Sequence, residues 1–136
     1  MAISLFERDD IKKEAVFLEE YGYVITEDKY SINYTLDNLS IIVAYPPNSD
    51  ESDISIHFKN LNQIYSVGWI ALVRNNIEGS INKLENIKEL LKYLKVHYSE
   101  ITNYEFCAES NKLIDEYIET HREMFDKAVL NFLNKQ

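Results

Sequence analysis

The sequence predicts an α+β fold: an antiparallel four-stranded meander packed against one N-terminal and two C-terminal helices. Three observations lead there. Apolar residues recur at steps of three and four near both ends of the chain and at steps of two through its middle. The two regimes are segregated, giving the order α-β-β-β-β-α-α rather than alternating βαβ units. Finally, 136 residues with 46% hydrophobic and 27% charged content match one domain of roughly 100–200 residues with a single core. We therefore treat residues 1–136 as one globular unit.

In residues 8–21, Ile11, Ala15 and Leu18 fall on one helical line with Glu and Lys between them. Gly22 suits the left-handed turn that closes such a helix. Beyond it Ile32, Tyr34 and Leu36 alternate with polar residues, Asp37-Asn38 makes a turn, and residues 39–45 run mostly apolar, which reads as a hairpin. Residues 23–26 leave room for an extra edge strand. Pro46-Pro47 stops the ladder, because proline has no N–H to donate, and residues 48–53 follow as an exposed polar connector. Ile54, Ile56 and Phe58 alternate with Ser55, His57 and Lys59, so His57 should look to solvent. Asn60-Leu61-Asn62 turns the chain into a fourth strand from residue 63 to about residue 69.

The clearest period covers about residues 80–99, with Ile81, Leu84, Ile87, Leu90, Leu91 and Leu94 on one side and Ser80 as N-cap. A last helix over about residues 107–133 aligns Cys107, Ile114, Ile118, His121, Phe125, Ala128 and Phe132. At about 1.5 Å per residue it spans roughly 40 Å.

Several chemistries are disfavoured. With glycine only at positions 22, 68 and 79, neither GxGxxG nor a P-loop can be assembled. His57, His97 and His121 fall on three elements with no HxxxH or CxxC spacing, so no metal or other cofactor is expected. Cys107 is the lone cysteine, which fits a reducing compartment and a buried, inert thiol. Carboxylate pairs such as Glu19-Glu20, Asp50-Glu51 and Asp115-Glu116 read as solvated charge, and no catalytic residue is assigned. The first residues turn acidic at Glu7 without an export-type leader, and the longest apolar stretches, 41–47 and 67–73, fall short of the roughly 18–20 residues that span a bilayer. The expectation is a cytoplasmic protein without a membrane partner.

Charge narrows the partners further. A net charge of -9 and a pI near 4.8 disfavour nucleic acid, since phosphate would be repelled. The Lys88, Lys92, Lys95 stripe lies beside Glu85 and Glu89 and reads as a solvated face. On the last helix Asp115, Glu116, Glu119, Glu123 and Asp126 project opposite Ile114, Ile118 and Phe125. Most acidic helix faces serve solubility; the functional alternative is a docking surface for a basic protein, where such charges speed encounter and select the partner. Asp50, Glu51 and Asp53 would extend that surface or form a second patch. Trp69 and Tyr65 default to the core, but exposed near an acidic rim they would act as interface anchors.

In size, acidity, α+β order and lack of a catalytic constellation, the chain resembles the small acidic immunity proteins that bacteria encode beside polymorphic protein toxins. The resemblance implies a cytoplasmic, non-catalytic inhibitor that binds a toxin domain and blocks its active site, an acidic surface suiting a basic nuclease. It carries over no residue roles. Two other classes stay open. One is a structural or regulatory homo-oligomer joined through the long terminal helix. The other is an enzyme whose mark would be a pocket gathering His57, His97 or His121 with two carboxylates.

Overall fold

The computed structural model describes residues 5–44, 52–77 and 83–134, with side chains described for residues 8–44, 52–77 and 85–122. Five strands, β1 (Val24–Glu27), β2 (Ser31–Leu36), β3 (Leu39–Ala44), β4 (Asp53–Phe58) and β5 (Gln63–Ser66), pair antiparallel in the order β1-β2-β3-β4-β5. The class is α+β and the sheet is a meander, with five strands where four were expected because the edge strand forms. Register places Ile25, Tyr34, Ile41, Ile56 and Tyr65 in one row across the sheet, with Ile32, Val43 and Ile54 in the next. Side chains two apart share a face, so these rows supply the sheet's half of the core; all but Ile25 are buried.

The N-terminal helix expected to be continuous is broken into α1 (Leu5–Glu14) and α2 (Val16–Glu20). Ala15 leaves helical geometry at φ -96° and ψ 9°, and Phe17 and Leu18 beyond it are both buried. Gly22 does adopt the left-handed region, at φ +100°, where a side chain would be strained.

The fourth-strand expectation needs correction. Pairing stops at Ser66, and Val67–Asn75 is a helix, α3. Ser66 Oγ accepts from Trp69 N–H at 3.1 Å, and Asp53 accepts from both the Ser66 hydroxyl and the Gly68 N–H. These contacts cap the helix at the point where a strand would have to continue. Val67, Ile70 and Ala71 are buried at helical spacing, but residues 67–73 are so uniformly apolar that no period is readable in them. Asn76, left-handed at φ 55°, ends α3.

α4 (Lys83–Val96), α5 (Tyr98–Ile101) and α6 (Tyr104–Asn134) follow, so among the described residues four helices come after the sheet where two were expected. Ile87, Leu90, Leu91 and Leu94 are buried, as the period predicted. Ser80 and Pro46-Pro47 lie outside the described residues. α3 and α4 pack on β4, α1 on α4, and α3 on α6. Polar ties reinforce these contacts: Lys88 lies 3.8 Å from Asp10 of α1, Lys12 lies 2.7 Å from Glu27 of β1, and the Tyr23 and Tyr98 hydroxyls meet at 2.7 Å.

His57 does not simply look to solvent. It is half-buried, and its Nε2, like Oδ1 of Asn33 on the same sheet face, is enclosed without a hydrogen-bond partner among the described residues. Its row neighbours across the sheet are Ser40 and Ile64.

Candidate protein interface

Long, regular α6 presents the acidic residues. Cys107 and Ser110 on its inner side are fully buried and Ile114 is 7% exposed. At 100° per residue this places Asp115, Glu116 and Glu119 on the outer side, and all three are exposed, as are Glu105 and Glu109. Lys112 and Arg122 interrupt the acidic side, Arg122 lying 3.8 Å from Glu119. The Glu123 and Asp126 side chains fall outside the described residues, as do Asp50 and Glu51 altogether.

Asp53 must be removed from any surface patch. Its carboxylate accepts from the Ile54 N–H at 2.7 Å, from Gly68 N–H at 2.9 Å and from the Ser66 hydroxyl. Three donors converge on this half-buried carboxylate, which holds α3 rather than a partner. Tyr65 is likewise unavailable: it is 7% exposed, packs edge-on against Phe58 and Tyr104, and burial followed by the Tyr104 hydroxyl pushes its phenol up to about 12.

Trp69 behaves differently. It is 39% exposed on α3 and meets Tyr117 of α6 edge-to-face at 5.9 Å. His121 stacks on Tyr117 at 3.8 Å, with Nδ1 2.8 Å from the Tyr117 carbonyl, and is exposed rather than part of the core. The two helices are also joined by Arg74, whose guanidinium covers Phe106 at 4.5 Å and whose Nε donates to Ser110 Oγ at 3.0 Å. The result is a partly exposed aromatic strip beside an acidic helix face. The sequence places Tyr117 only on the flank of the apolar line and His121 on that line as a core residue, so neither reads as part of an exposed strip.

A second feature lies on α4. Ile77, Glu89, Lys92, Tyr93, Val96 and His97 line an open groove of about 500 Å³. Tyr93 is 6% exposed and its hydroxyl donates to Asn75 Oδ1 at 2.6 Å. The His97 ring lies 4.4 Å from the Tyr93 ring, and its Nδ1 is 3.1 Å from Glu100. An imidazole oriented by a carboxylate has the form of a general base, and the groove gathers it with Glu89. Among the described residues that line the groove none is a free nucleophile: Tyr93 is committed to Asn75, and Cys107 is fully buried with its Sγ donating to the Ile101 carbonyl at 3.0 Å. Burial pushes the Cys107 thiol up to about 12, far from the thiolate that a nucleophile needs.

Among the described residues no group of three or more His, Cys, Asp or Glu side chains is placed to hold a metal ion, and no helix is long and apolar enough to cross a membrane. No protein-family model, curated protein or solved structure matches the chain.

Proposed function

We propose that the protein is a non-catalytic inhibitor of the immunity type, which docks a basic protein domain through the outer side of α6. One observation carries this reading: Asp115, Glu116 and Glu119 are exposed beside the Trp69–Tyr117 pair. Acidic charge steers a basic partner and a half-exposed tryptophan supplies an anchor, the division of labour common at tight interfaces. A toxin domain, and a basic nuclease in particular, is the partner this reading names.

The test is charge reversal. Replacing Glu116 and Glu119 with lysine should slow association with the partner by about tenfold or more at low salt and flatten its salt dependence, since steering charges act on the on-rate. Folding should persist, because exposed charges contribute little to stability. Trp69→Ala should instead speed dissociation. The partner is best sought by co-expression with the product of the adjacent gene. Unchanged kinetics in both variants would reduce this face to a solubilising one.

A homo-oligomer through α6 is the second reading, favoured by a gradient along the helix. Exposure on its inner line rises from 0% at Cys107 to 7% at Ile114, with Ile118 half-buried and His121 exposed. Burial on the inner line thus weakens towards residue 122 while the sequence beyond it stays amphipathic. Sedimentation equilibrium of the pure chain separates the two readings, a monomer excluding the second.

A further inference from the structure

We propose that the α4 groove is a binding site for a zwitterionic α-amino acid with an apolar or aromatic side chain, a role separate from the α6 interface. The walls supply the apolar half of that ligand. Val96 is 77% exposed although it flanks a buried tyrosine, and Ile77 continues the aliphatic wall. The half-buried His97 ring is the accessible aromatic face, backed at 4.4 Å by the buried Tyr93 ring, and the pair is fixed at both ends, by the Asn75 amide oxygen at 2.6 Å and by Glu100 at 3.1 Å. A ring laid on that surface meets side chains whose rotamers are already held, so little ordering cost is added on binding.

Charge selects the rest of the ligand. Glu89 and Lys92 both line the groove, and their spacing of three residues would allow them to pair with each other. No such ion pair forms, and neither has an ionic or hydrogen-bonded partner among the described residues. Opposite charges, each unspent, thus sit at the edge of one apolar surface. An ammonium facing Glu89 and a carboxylate facing Lys92 match them. A protein side chain brings one such group at most, whereas an α-amino acid brings both on one carbon.

The experiment is a titration of the uniformly ¹⁵N-labelled full chain with L-phenylalanine, followed by backbone amide shifts. Saturable shifts confined to Ile77 and the Glu89–His97 turn pair are expected, with a dissociation constant of about 1 mM for so small a ligand in an open groove. Phenethylamine and 3-phenylpropionate, each lacking one charge, should bind about tenfold more weakly, as L-phenylalanine should to Lys92→Ala or Glu89→Gln. Both variants alter exposed side chains and leave the fold intact, which the unperturbed remainder of each spectrum reports. Val96→Glu should abolish the shifts. Non-saturable shifts, equal binding of the singly charged analogues, or indifference to the Lys92 and Glu89 changes would overturn the proposal.

Discussion

α3 and α4 lie side by side on β4, yet different forces make each of them helical. α4 has 14 residues, and the four side chains Ile87, Leu90, Leu91 and Leu94 bury one continuous stripe. α3 has nine, fewer than the roughly 12–15 residues a helix needs for any stability of its own. Its start is held from outside by Asp53, the first residue of β4, which binds the Ser66 hydroxyl and the Gly68 N–H. A negative carboxylate at a helix N-terminus also meets the positive end of the helix dipole. The absence of a side chain at position 68 belongs to the same device, because a Cβ there would lie 2.8 Å from Asp53 Oδ1. One helix is made by its own periodicity, the other by a residue 15 positions away.

That contrast can be broken from either side. The largest effect should come from Leu91→Ala, which removes a fully buried side chain and should cost about 2–5 kcal/mol in urea unfolding. Asp53→Ala should cost less, about 1–3 kcal/mol for unsatisfied donors around a lost charged acceptor. Its signature is local: hydrogen exchange should accelerate in α3 while α4 stays protected. Uniform acceleration in both helices would show that α3 has no separate anchor. The smallest effect belongs to Glu27, outside both helices. The Lys12 ammonium that hydrogen-bonds it, helped by Arg8, holds its carboxyl below the usual carboxylate range. A depressed folded value adds stability above the unfolded value, about 4.3, and that stability is lost as pH falls through the folded value. Glu27→Gln should therefore remove a minor part of the acid destabilisation and change nothing below that range. The effect stays small because the side chain is 34% exposed and screened by solvent.

The same contrast explains what the sequence could and could not tell. Periodicity is a property of one segment, so α4, the β2–β3 hairpin and the buried side of α6 at Cys107 and Ile114 were readable from their own residues. α3 depends on a long-range hydrogen bond that leaves no local mark beyond Ser66 three residues before Trp69. Asp53 was misjudged for the same reason: in sequence it ends a polar connector, and only the β4–β5 pairing of Ser55 with Ser66 brings it to the helix it caps. On α6, the exposure of Asp115, Glu116 and Glu119 followed from helical geometry alone. The Trp69–Tyr117 contact required knowing that residue 69 lies on a helix packed against α6. The α4 groove was hidden more deeply, because Tyr93, Val96 and His97 sit off the main apolar stripe and acquire meaning only beside Ile77.

Because every strand pairs with its neighbour in sequence, from Val24 opposite Thr35 to Phe58 opposite Gln63, the sheet can assemble through short loop closures with little entropy lost before contacts form. The contacts between distant parts of the chain are made when the helices dock, α1 on α4 and α3 on α6, with polar ties of Asp10 to Lys88, Tyr23 to Tyr98 and Arg74 to Ser110. Folding speed should accordingly be set by the meander, with helix docking following it. Substitutions at the Tyr23–Tyr98 contact should then raise the unfolding rate and leave the refolding rate nearly unchanged.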